Sequence, residues 1–129
     1  MAPATANQLA AAQLTESERR TIERFTSRLR DELGDHLRAL WLYGSRARGE
    51  AHPESDIDLL AIADGGRDRY RHLVAKLSEE AAVAEGESPF TYSVHVHDLE
   101  WLAGRREIES FFIQEVDRDK IVLAGSVLE

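Results

Sequence analysis

The 129-residue chain sets 16 Lys and Arg against 24 Asp and Glu, for a net charge of −8, with 43% hydrophobic residues, 31% charged residues and no cysteine. That length suits one domain and that balance a globular chain rather than a disordered one. It excludes a disulfide framework, a thiolate nucleophile and a cysteine-based zinc site, and it argues against a domain that grips nucleic acid through a basic surface.

No apolar run approaches the roughly 20 residues of a membrane span. The opening MAPATANQLAAAQ has neither a basic start nor a continuous apolar core, so it does not read as a signal peptide. A cytoplasmic protein is the expectation.

Residues 1–13 show no period and are expected to form an N-terminal arm ahead of one domain over 14–129. Thr15 with Glu18 has the spacing of a capping box, and Ile22, Phe25, Leu29 and Leu33 then recur at helical spacing up to Gly34, which predicts a helix over about 16–33. Leu37 to Tyr43 is almost wholly apolar and reads as a strand buried on both faces. Ser45 to Glu54, with Gly49 and Pro53, reads as a short turn and loop, and Ser55 to Ala63 as a second strand broken by Asp64-Gly65-Gly66. Tyr70, Leu73, Val74, Leu77 and Ala81 mark an amphipathic helix from Arg67 to Ala84.

Phe90 to His97 alternates, which predicts a half-buried strand with Phe90, Tyr92, Val94 and Val96 inward and Thr91, Ser93, His95 and His97 outward. Ile108, Phe111, Phe112 and Val116 define a last helix whose phenylalanines are expected in the core, and Ile121 to Leu123 a short strand or tail. This order predicts an α/β (α+β) domain: a small mixed sheet with helices packed on one face and the other face left for a ligand.

The chemistry concentrates between Gly44 and Asp58. Residues two apart on a strand share a face, so Asp56 and Asp58 project together, as two carboxylates suited to a hard divalent cation. Alone, such a pair is as well explained by a solvated strand end. Immediately after the preceding buried strand, however, Gly44 allows close approach of a ligand. Ser45 adds a hydroxyl and the first N–H of a turn, a geometry that attracts phosphate oxygens. Arg46 and Arg48 add cationic donors. A phosphate cradle thus ends one strand where a metal-binding pair begins the next.

Gly44-Ser45, ten intervening residues and Asp56-Ile57-Asp58 resemble the signature of the polymerase-β-type nucleotidyltransferase superfamily. Gly-Ser-Arg-Ala-Arg-Gly followed by Ser-Asp-Ile-Asp-Leu-Leu is most similar to its minimal nucleotidyltransferases, a likeness that spans about residues 15–100. The resemblance implies a polymerase-β-like fold, nucleotide contacts from Gly44, Ser45, Arg46 and Arg48, and Mg2+ (two ions) on Asp56 and Asp58. It also implies attack by an acceptor hydroxyl on the α-phosphorus of a nucleoside triphosphate, with ATP as the expected donor. Such proteins often act as antitoxins that adenylylate a partner, a helical HEPN ribonuclease toxin.

Active relatives carry a third carboxylate on a later strand, and the polar face of Phe90 to His97 has none. Three outcomes stay open: His95 stands in as a base or weak ligand, Asp98 or Glu100 swings in, or the third group is lost. A transition metal between His95 and His97 is a further alternative. The functional expectations are accordingly a transferase acting on a partner protein, a binding module that neutralises a partner without turnover, and, least favoured, an aminoglycoside nucleotidyltransferase. With little chain beyond the core domain to enclose an acceptor, a second polypeptide is expected to supply it. Direct nucleic-acid or membrane binding is not expected, and oligomerisation is left open.

Overall fold

In the computed structural model, which describes residues 12–50 and 55–125, helix α1 (Glu16–Leu33) starts at its predicted box. Thr15 Oγ1 accepts from the Glu18 N–H at 3.2 Å, and Glu18 Oε1 accepts from the Thr15 N–H at 2.8 Å, so donors that a helix start leaves free are satisfied reciprocally. Ile22, Phe25, Leu29 and Leu33 are buried, and Gly34 at φ +54° ends the helix.

Strand β1 (Leu37–Tyr43) leads into a single turn, α2 (Ser45–Arg48), and then to β2 (Ile57–Ala63), helix α3 (Gly66–Ala84) and β3 (Tyr92–His97). Two short helices follow, α4 (Leu99–Glu107) and α5 (Phe111–Asp119), before β4 (Ile121–Gly125). The sheet order is β3-β2-β1-β4, with β2 and β3 parallel and the other pairs antiparallel. This is the mixed sheet expected of the composition and order of elements.

The central strands are apolar on both sides because both sides are covered. Leu40, Leu42, Leu59 and Ala61 join residues of α1 and α3, including Phe25, Leu29, Val74 and Leu77, in the larger core. Ala39, Trp41, Leu60 and Ile62 join Leu102 of α4 with Ile113 and Val116 of α5 in a second core. The expectation of helices on one face therefore holds for the two long helices only. The C-terminal pair forms a second, partial layer, and the ligand face is a cleft at its margin rather than an open sheet.

Other elements depart from expectation for local reasons. Helix α4 starts because Asp98 Oδ1 accepts the Trp101 N–H at 2.8 Å, but of its residues only Leu102 is buried, so it has no apolar stripe to read. Phe90 is 93% exposed in a 3-10 turn, Pro89–Thr91, instead of facing the core. Ile108, Phe111 and Phe112 are also exposed; α5 buries Ile113 and Val116 in their place. Within the expected arm, Ala12 is buried and the Gln13 N–H donates to the Arg46 carbonyl at 3.0 Å. Residues 1–11 of that arm and Pro53 lie outside the described residues. Among those described, no helix is long and apolar enough to cross a membrane.

Candidate active site

Sheet register brings the motif together. Asp58 pairs with Tyr43 on β1 and with Ser93 on β3, so one row across the sheet carries Tyr43, Asp58 and Ser93 on the face that holds the smaller core. Beyond Tyr43 the chain turns at Gly44, with φ +79°. A Cβ there would run into the Asp58 carboxylate. Only glycine satisfies both the backbone and the close approach. The turn that opens with Ser45 is thereby laid against Asp58, and the Arg48 N–H closes it on the Gly44 carbonyl at 3.2 Å.

Burial, reinforced by the neighbouring Asp56 charge, raises the pKa of Asp58 above the ordinary 3.8, while His95 and Arg48 pull it back down. Asp56 lies exposed one residue before β2 begins. Tyr43 is pushed up to about 12 by burial and by Asp58, so at neutral pH its phenol keeps its proton. A half-buried carboxylate crowded by a like charge suits a hard divalent cation that keeps waters and takes phosphate oxygens as further ligands. Among the described residues no group of three or more His, Asp or Glu is placed to hold a metal. The fit is to a cation that arrives with its phosphates, not to a cage made by protein alone.

Arg46 belongs elsewhere. Its side chain is buried, and its guanidinium donates to Glu18 Oε1 at 2.9 Å, to the Gln13 carbonyl at 3.1 Å and to the Ser55 carbonyl at 2.9 Å. Expected among the nucleotide contacts, its side chain is engaged with protein groups and ties the start of α1, the α2 turn and the residue before Asp56 into one unit. Arg48 stays near the site, paired with Glu50 at 3.1 Å and with Asp119 at 3.6 Å.

Tyr43, Gly44, Ser45, Arg48 and Asp58 line a cleft of about 320 Å³ together with Phe112, Glu115 and Val116 of α5. The role of α5 depends on how the helix packs back on the sheet, which no local pattern announces. On the other side of Asp58, exposed His95 has Nε2 3.4 Å from Ser93 Oγ. His97 lies flat on Trp101 at 3.8 Å. Burial holds its pKa below the ordinary range, aided by His95, Arg67 and Arg105. It makes an aromatic stack instead of a metal site. Asp98 is occupied as the α4 cap, and Glu100 is exposed in the first turn of that helix.

A nucleotidyltransferase domain family matches residues 22–121. A candidate protein adenylyltransferase of Methanocaldococcus jannaschii is 34% identical over 61 residues, or 47% of this chain and 61% of that protein. The chain thus matches less than two thirds of that relative's length. A toxin–antitoxin crystal structure with AMP-PNP superposes at a TM-score of 0.52 with 23% identity, over 81% of this chain and 73% of that chain. A toxin–antitoxin MntA-HpeT variant with two aspartates changed to glutamate superposes at 0.50 with 21% identity, over 78% of this chain and 70% of that chain. These structural likenesses are of fold.

Proposed function

This chain belongs to the nucleotidyltransferase domain family, and we propose that it transfers a nucleoside monophosphate, AMP from ATP, to a hydroxyl of a partner protein. The observation that carries this is the close approach of Gly44 to Asp58, where an added Cβ would collide with the carboxylate; it supports reading the turn and Asp58 as parts of one site, with Asp56 beside them. Gly44 and Ser45 receive the triphosphate, and Arg48 balances its charge. Asp56 and Asp58 hold Mg2+, which neutralises the phosphates when bound.

The acceptor oxygen bonds to the α-phosphorus as the bond from that phosphorus to pyrophosphate breaks. His95, beside Ser93 on the far side of Asp58, takes the acceptor proton. Catalysis is then chiefly orientation and charge stabilisation. A protein acceptor is supported by the name of the archaeal relative and by the toxin–antitoxin context of the structural neighbours; a HEPN-type toxin is the partner we favour.

The test is transfer of label from α-labelled ATP, with Mg2+, to the co-encoded neighbouring protein. Asp58→Asn should abolish it, and equal labelling by wild type and variant would refute the assignment. A second reading, a partner-binding module without turnover, is favoured by the absence, among the described residues, of a cluster of three or more His, Asp or Glu placed to hold a metal and by exposed Ile108 and Phe111. It predicts a stable complex and no label transfer, with the complex surviving loss of both aspartates.

A further inference from the structure

Granted the nucleotidyltransferase reading, on which this rests, we infer that α5 supplies the nucleoside end of the donor site, with Phe112 stacking on the base. The cleft has two chemically different ends. Gly44, Ser45 and Arg48 offer a positive-φ turn, a hydroxyl and a cation, the equipment for phosphate. On α5, Phe112, 41% exposed, lines the same cleft and meets Tyr43 edge to face at 5.5 Å and 88°. Trp101 supports it from behind at 6.4 Å. A part-exposed ring braced by two others is a rigid platform, and base–aromatic stacking is the interaction it is built to make.

Charge fixes the direction. Glu115, one turn further along the same side of α5, faces the cleft as well, and its only nearby cation among the described ion pairs is Arg118 at 3.8 Å. A carboxylate repels a triphosphate but accepts from ribose hydroxyls or a base amino group. Phosphates therefore lie toward Ser45 and the nucleoside toward α5. The cleft volume of about 320 Å³ is at the small end of the range for small-molecule sites. With the donor on the β1 side of Asp58, the β3 side, with Ser93 and His95, is left to the acceptor, as in-line displacement requires.

The experiment compares the affinities of ATP and of inorganic tripolyphosphate, each with Mg2+, by calorimetry on wild type, Phe112→Ala, Phe112→Trp and Asp58→Asn. Phe112 is a surface residue, and unchanged circular dichroism and Tm establish that its variants fold. In wild type ATP should bind more tightly than tripolyphosphate. Phe112→Ala should weaken ATP by about 5- to 100-fold, the range of one lost stacking contact, and leave tripolyphosphate unchanged, while Phe112→Trp retains ATP binding. Asp58→Asn should weaken both ligands.

If Phe112→Ala binds ATP as wild type does while Asp58→Asn loses both ligands, the α5 assignment is overturned and the nucleotidyltransferase reading survives. Equal loss of ATP and tripolyphosphate in Phe112→Ala also overturns the stacking role. Failure of wild type to bind either ligand overturns the functional reading itself, and this inference with it.

Discussion

Replacing Glu18 by glutamine should destabilise the protein more than any surface substitution, because it strands a buried cation. The Glu18 and Arg46 side chains are 9% and 5% exposed, and the pair sits at 2.9 Å. Glutamine keeps an oxygen for the Thr15 N–H and for Arg46 but removes the charge that balances the guanidinium. Breaking a buried pair from one side costs about 3–5 kcal/mol. The amide retains some of the hydrogen bonding, so the lower end applies, roughly 3 kcal/mol, against a total stability of about 5–15 kcal/mol. For a chain of this size that is a fall in Tm of roughly 8–15 °C. Thermal unfolding followed by circular dichroism measures it. The double variant Glu18→Leu with Arg46→Met removes both charges and should lose less than the sum of its single changes, with a coupling of about 2 kcal/mol or more. A drop of less than about 3 °C for Glu18→Gln, or strict additivity in the double-mutant cycle, would refute the claim that this pair is a desolvated lock.

Three further expectations follow from the same geometry. The folded-state pKa of Asp58 is raised, so its contribution to stability is fully present below the ordinary 3.8 and is lost as pH rises through the folded value. Asp58→Asn should therefore raise the Tm of the ligand-free protein at neutral pH, by about 1 kcal/mol in stability terms, and an unchanged or lower Tm would contradict the burial argument. Gly44→Ala combines a positive φ with a collision against Asp58 and should cost about 1–3 kcal/mol. Chemical denaturation tests this, and a neutral result would mean that the turn relaxes freely. His97 has its pKa lowered, so it contributes stability above the ordinary 6.5 that is lost as pH falls through the folded value. His97→Phe should keep the stack on Trp101 and flatten the fall in Tm between pH 7 and 5, whereas an unaltered pH profile would assign that fall to other groups.

Much of this was legible in the sequence, and what was not has a common cause. The capping box, the apolar period of α1, the two-sided burial of β1 and the parity of β3 from Tyr92 onward are local signals that placed their residues correctly, whereas Phe90 lies outside the strand and is exposed. Parity put Ser93 and His95 on the polar face of β3, and the pairing of β3 with β2 and of β2 with β1 brings that face and Gly44 to Asp58. The failures depend on contacts between distant segments. Arg46 looks like a solvent-exposed motif cation until α1 is packed against it from 28 residues away. Phe112 reads as a core position on a last helix, and nothing local singles out Glu115. Only the docking of α5 beside β1 turns both toward Asp58. Helix α4 hid because a single buried residue leaves no period to detect.

The departures from ordinary folding preference gather in one short stretch. Gly44 takes a positive φ, Arg46 is buried as a charge, and Asp58 is half buried beside another carboxylate. Gly44 and Arg46 lie between β1 and β2, and Asp58 lies at the start of β2; both strands are covered on both faces by apolar side chains. Rigid strands hold reacting groups to tighter tolerances than loops do, and β1 and β2 supply that rigidity on either side of the turn. The α5 lining of the cleft is different in kind: that helix is nine residues long and anchors itself by Ile113 and Val116. One part of the lining is thus fixed by the larger part of the fold while the other rests on a few contacts. That division suits the proposed site: the strands hold the phosphate chemistry in register, and α5 need only present a ring braced on Tyr43 and Trp101.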